Sequence, residues 1–220
     1  MLEQLSDVAR SVKDLLDSRG DDPAFADRLD ESLPALRAAA EAGDISAQNV
    51  LGGVLLDVEE DPSAAATWFE RTAGRGSAVG RRSLGFLYAN GLGVVQDLER
   101  AESLFRAAAE AGDGYAQFNL AQLWWGKGDV RTVASLLRSA AEGGLDEAYT
   151  PLGDLLVATG QDAEAMRWYL AAIGAGDADV VHEAIEVAKR LTDSQIHRAG
   201  EQAGRPSETE AMIGTVRTYR

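Results

Sequence analysis

The sequence predicts an all-α fold, a right-handed α-solenoid (superhelix) of helix-turn-helix repeats. Five related segments recur along the 220 residues: AAAEAGDISAQ, ERTAGRGSAVG, AAAEAGDGYAQ, SAAEGGLDEAY and AAIGAGDADVV. Their shared glycines, Gly43, Gly76, Gly112, Gly144 and Gly176, are 33, 36, 32 and 32 residues apart, the spacing of a stacked supersecondary unit. Eight residues beyond each of the first four stands a leucine, Leu51, Leu84, Leu120 and Leu152, followed by a small residue, Gly52, Gly85, Ala121 and Gly153. Aromatic residues make up only 6% of the chain against 45% hydrophobic residues in all, a composition suited to helices whose small side chains let backbones approach closely.

Residues 1–42 are predicted to form two N-terminal capping helices, near 2–18 and 24–42, the second readable as half a repeat. Solenoids need such covers because an open end exposes the apolar face meant for a neighbour. Residues 43–191 hold the repeats. After each glycine, apolar or small residues fall at offsets four, eight, eleven, twelve and often fifteen, a 3.6-residue stripe that defines a helix A. In the second unit these are Gly80, Leu84, Leu87, Tyr88 and Gly91.

Helix B is expected to begin after an aspartate: Asp61 before Pro62, then Asp97, Asp129 and Asp162. Such a carboxylate accepts from the first free amides of a helix, and proline is tolerated at the first helical position. Helix B then carries a bulky pair, Trp68 with Phe69, Leu104 with Phe105, Leu136 with Leu137, and Trp168 with Tyr169. Its alanine-rich last turn runs into the next glycine, which can take the left-handed conformation that ends a helix.

Pro151 interrupts helix A of the fourth unit, with two outcomes open: a delayed start capped by Thr150, or a kink. The last unit, DADVVHEAIEVAKRL, keeps the helical period without the leucine and glycine and reads as degenerate. Residues 192–204, TDSQIHRAGEQAG, form an expected C-terminal capping helix. For the tail 205–220 two readings stay open: disorder, or a short helix docking Met212, Ile213, Val216 and Tyr219 on a neighbour.

The run LGFLYANGLGVVQDLERAESLFRAAAEAGDGYAQFNLA resembles the Sel-one-like repeat (SLR) family, a relative of the tetratricopeptide (TPR) repeats. The resemblance covers roughly residues 33–175 and is strongest in the second and third units. The first unit departs from it by replacing the glycine-containing interhelical turn with VEEDP, and the third and fourth shorten theirs to GKGD and TGQD. The resemblance implies a concave groove in which peptides lie. It also brings in secreted, cysteine-rich relatives linked to β-lactam binding or hydrolysis, a reading set aside by the absence of cysteine here.

Composition narrows the function further. A net charge of −15 opposes the positive field that nucleic acid or an anionic lipid surface requires, so neither nucleic acid nor membrane insertion is expected; a basic partner is compatible. No segment approaches a membrane-spanning length, and the N-terminus lacks a signal-peptide pattern, which together lead to an expected cytoplasmic location. Without cysteine there is no thiolate nucleophile or sulfur-ligated metal. His182 and His197 fall on different predicted helices with no second ligand at a metal-binding spacing, and the GLG of Gly91–Gly93 lacks the lysine and threonine of a phosphate loop. No catalytic residue, cofactor or metal is therefore assigned, and the chain is expected not to be an enzyme.

Binding leaves another trace. With the helix A stripe facing the core, offsets three, six, ten and thirteen face the other way. There the second and third units carry Arg82, Phe86, Tyr115, Phe118, Gln122 and Trp125, residue types that often dominate interface energies. Asn49 and Asn119 point near the same face and could hydrogen-bond an extended peptide. The alternative is that the chain itself covers these aromatics. The expected function is a scaffold or adaptor holding a peptide segment or protein on the concave helical face. The alternative is a regulatory or inhibitory subunit clasping one enzyme or toxin; homo-oligomerisation is also compatible with exposed aromatics.

Overall fold

A computed structural model describes residues 6–20 and 22–219. Thirteen α-helices and no strand occur among them, an all-α fold of the helical-repeat solenoid class. The leading helices are α1 (Asp7–Asp17) and α2 (Phe25–Glu41). Four A/B pairs follow: α3 (Ile45–Asp57) with α4 (Pro62–Gly74), α5 (Ala78–Asn90) with α6 (Leu98–Glu110), α7 (Gly114–Trp125) with α8 (Val130–Glu142), and α9 (Tyr149–Ala158) with α10 (Asp162–Ala175). The chain closes with α11 (Val181–Ala188), α12 (Asp193–Ala203) and α13 (Pro206–Arg217).

Two compact units divide the chain, residues 1–116 and 117–220. In the first, each helix from α1 to α6 packs on the next, and α1 also reaches α3. In the second, α8 packs on α9, α9 on α10, and α10 is the hub, touching α11, α12 and α13. Its buried Met166, Trp168, Tyr169 and Leu170 anchor a cluster that includes Leu152, Leu156, Ile196, Met212, Ile213 and Val216.

The repeat glycines all end helices in one way. Gly43, Gly76, Gly112, Gly144 and Gly176 have φ of +93°, +90°, +88°, +87° and +102°. In each case the residue after the glycine donates its N–H to the carbonyl five positions back, as Asp44 does to Ala39 and Asp113 to Ala108. This double closure satisfies carbonyls that the helix end leaves free, and an L side chain would be strained there.

The same following residue then caps helix A, a role the sequence reading missed. Asp44, Ser77 and Asp113 accept from the amides of Ala47, Gly80 and Ala116 at 2.8, 3.0 and 2.8 Å. Of the predicted helix B caps, Asp61, Asp97 and Asp129 accept from Ala64, Arg100 and Thr132. Asp162 does not cap: it is the first residue of α10, Gln161 precedes it, and its carboxylate pairs with Arg190 at 2.8 Å.

In the fourth unit the start of helix A is delayed, one of the two outcomes open for Pro151: α9 begins five residues after Gly144, where the other units begin two residues after theirs. Leu145 stands where the other units place a capping side chain, and a 3-10 turn over Asp146–Ala148 leads into α9. Pro151 then sits in the first turn, where no intrahelical bond needs its missing N–H. Thr150 is not the cap; its hydroxyl donates to Asp177.

The small residue after each recurring leucine is a packing slot. A Cβ added at Gly52, Gly85 or Gly153 would lie 2.5, 2.9 or 2.5 Å from the ring of Phe69, Phe105 or Tyr169. The third unit carries alanine at this place, Ala121, and leucine at the ring position, Leu137; both are buried in one cluster. The tail, for which disorder and helix were both open, forms α13. Met212, Ile213 and Val216 are buried, while Tyr219 stays exposed with the Lys189 ammonium 4.9 Å from its ring.

Candidate protein-binding groove

Offset six of helix A, read from sequence as part of the binding face, is instead a joint between neighbouring repeats. Asn49 is buried, and its amide donates to the Ser77 hydroxyl at 3.0 Å. The Arg82 guanidinium donates to Asp113 at 3.2 Å and lies 5.2 Å from the centre of the Tyr115 ring. Thr150 donates to Asp177 at 2.8 Å. In all three the acceptor is the residue just after the next repeat's glycine, and two of these acceptors, Ser77 and Asp113, also cap the following helix A. In the third unit offset six is Phe118, half-buried against the apolar cluster of residues 117–220. Asn49, Arg82 and Phe118 thus contribute to the stacking of repeats, which periodicity alone could not separate from a free face.

At offsets ten and thirteen half of the positions are open, while Gly53, Leu56, Ala89 and Val157 are half-buried. Phe86 is 42% exposed and Trp125 is 55% exposed, and Gln122 and Asp154 are also exposed. In the first unit, Tyr115 is exposed beside the Arg82–Asp113 pair, and Phe86 is the other exposed aromatic. Asn119 is half-buried.

In the second unit the open positions border a groove of about 500 Å³. Phe118, Ala121, Gln122, Trp125 and Gly126 form one wall, Pro151 and Asp154 the other, and Leu137 reaches it from α8. Apolar surface dominates, with polar groups only at Gln122 and Asp154. Asp154 is held in place: the buried Tyr169 phenol donates to its Oδ1 at 2.7 Å. Burial first, and this hydrogen bond second, raise the phenol's pKa above its ordinary value, so the proton stays on tyrosine and Asp154 remains an acceptor.

Asp154 also borders a second groove of about 330 Å³, whose other polar lining is Tyr169, His182, Glu183, Glu186 and Arg190. Arg190 is engaged by Asp162, and Lys189 donates to Glu186, holding that carboxyl below its usual range. Among the described residues no three His, Cys, Asp or Glu side chains are grouped to hold a metal, and no helix is long and apolar enough to cross a membrane.

The Sel1 repeat matches residues 45–77, 79–113, 114–145 and 158–177, together more than half of the chain. This chain belongs to the Sel1 repeat family. An uncharacterized protein of Neisseria meningitidis serogroup B is 36% identical to it over 91 residues, 40% of this chain and 19% of that protein, so the chain spans less than a fifth of that relative's length. Among solved structures, a Sel1 repeat protein from Oxalobacter formigenes superposes with a TM-score of 0.67 at 19% identity, over 96% of this chain and 87% of the other. YrrB, described as a TPR protein with an unusual peptide-binding site, does so with a TM-score of 0.52 at 18% identity, over 82% of this chain and 98% of the other.

The Sel1 match is interrupted between residues 145 and 158. That interval contains the 3-10 turn together with Pro151 and Asp154, the second wall of the groove. Pro151 and Leu137 were not singled out from sequence as binding residues. Asp154 was legible only as the offset-ten residue of the fourth unit.

Proposed function

We propose that this Sel1 repeat chain is a non-enzymatic protein-binding module, a scaffold or adaptor that holds a peptide segment or protein in the groove between α7 and α9. The family's repeats are generally protein–protein interaction scaffolds, which supports the coarse reading. The observation that carries the finer one is the pairing of a half-exposed Trp125 with an open apolar groove. Indole side chains in such settings commonly act as anchors, because they bring a large rigid apolar area at little entropic cost. A location in the cytoplasm belongs to the same proposal.

The test is affinity capture from the native cell extract with the wild type and with Trp125→Ser. Trp125 is about half exposed, so the substitution should cost no more than about 2–3 kcal/mol of folding stability, the scale of a partly buried large apolar side chain. The proposal expects a specific co-purifying protein that Trp125→Ser no longer retains while the variant still unfolds in one cooperative transition well above the capture temperature. Equal retention by both proteins would place the binding surface elsewhere.

A further inference from the structure

The two grooves of the second unit share one residue, and that sharing carries information about what fits. Asp154 is the last polar group of the apolar groove and the first of a neighbouring groove that also presents Glu183 and Glu186. The cationic groups beside them are already engaged, Arg190 by Asp162 and Lys189 by Glu186. Tyr169 fixes one oxygen of Asp154 and leaves the other to accept. The polar end of the apolar groove is therefore acidic and short of positive charge, within a chain of net charge −15.

We infer that the groove takes an extended peptide carrying a bulky apolar side chain within about three residues of a lysine or arginine. This rests on the proposed binding role of the groove and specifies its ligand. The apolar side chain would lie among Phe118, Trp125, Leu137 and Pro151, and the cation would pair with Asp154, supported by Glu183. The spacing follows from the fold: neighbouring packed helices lie roughly 8–10 Å apart, and an extended chain advances roughly 3.3 Å per residue. The C-terminal segment does not compete for the site, because α13 is packed on α10, α11 and α12.

Selection of a random dodecapeptide phage library on the full chain tests this, with the sequenced pool as readout. Peptides with lysine or arginine near leucine, phenylalanine, tryptophan or methionine should dominate. A synthetic peptide from that pool should bind Asp154→Asn or Glu183→Gln about two- to fivefold more weakly, the effect of one exposed charge pair. Asparagine still offers an oxygen to the Tyr169 phenol, so Asp154→Asn should unfold at the wild-type temperature; Glu183→Gln alters an exposed side chain and serves as a second probe. A pool rich in apolar residues without cations, or a cationic peptide whose affinity neither substitution changes, overturns the inference and leaves the groove reading intact. Failure to enrich any peptide overturns both.

Discussion

At the scale of single residues, the most demanding position is the small one after the repeat leucine. Gly153 faces the Tyr169 ring so closely that a methyl group would sit 2.5 Å from a ring carbon. Gly153→Ala should destabilise the chain by about 1–3 kcal/mol, the cost of overpacking a filled core, read as a lower urea midpoint at unchanged slope. Ala121 shows that the slot accepts a methyl group when the facing residue is Leu137 instead of a ring, so a Gly153→Ala/Tyr169→Leu double variant should recover part of the loss.

Asp129 gives a pH-dependent test at the same scale. Its carboxylate accepts from the Thr132 amide and hydroxyl, bonds that hold its pKa below the ordinary value. A depressed folded pKa contributes stability above the unfolded pKa and loses it as pH falls through the folded one. The unfolding temperature of the wild type minus that of Asp129→Asn should therefore shrink as pH falls from about 5 to about 3. The sequence announced this cap through its spacing, and it announced the small slot without saying what fills it. It misplaced Asn49 and Arg82, because a helical period tells which way a side chain points and not whether the next repeat is waiting there.

At the scale of elements, α9 and α13 are where local sequence left alternatives that packing resolves. Pro151 was compatible with a delayed start or a kink; the start is delayed, with a 3-10 turn after the uncapped Leu145 that places the proline in the first helical turn. The tail was equally readable as disorder, since its three charged residues before Met212 hide an apolar stripe of only a few residues. In the structure that stripe closes over α10 and α11, burying Met212, Ile213 and Val216. Ending the chain after Gly204 should thus cost about 3–6 kcal/mol from the lost burial of three apolar side chains, discounted for residual exposure. Calorimetry would show the lowered unfolding temperature, and a hydrophobic dye would bind the uncovered face.

At the scale of the whole molecule, the repeat register was legible almost completely, because each glycine needs the same left-handed turn and each leucine the same core position. The groove was legible in one wall. Gln122 and Trp125 stand out by periodicity, as does Asp154 at offset ten of the fourth unit, whereas Pro151 and Leu137 join them only through folding. The acidic surface makes a global prediction as well. Self-repulsion among carboxylates is screened by salt, so the unfolding temperature should rise between about 10 and 150 mM sodium chloride, while binding of the cationic peptide weakens over that range.

The central claim is that partners are held on the α7–α9 face of the second unit, and site-specific photo-crosslinking in cells tests it most directly. A benzophenone amino acid at Gln122, on the groove wall, is compared with one at Ser135, an exposed residue of α8 that does not line the groove. The account predicts a discrete crosslinked partner from position 122 that is absent from position 135. Crosslinking from 135 to the same partner with equal yield, or from 135 alone, would contradict it.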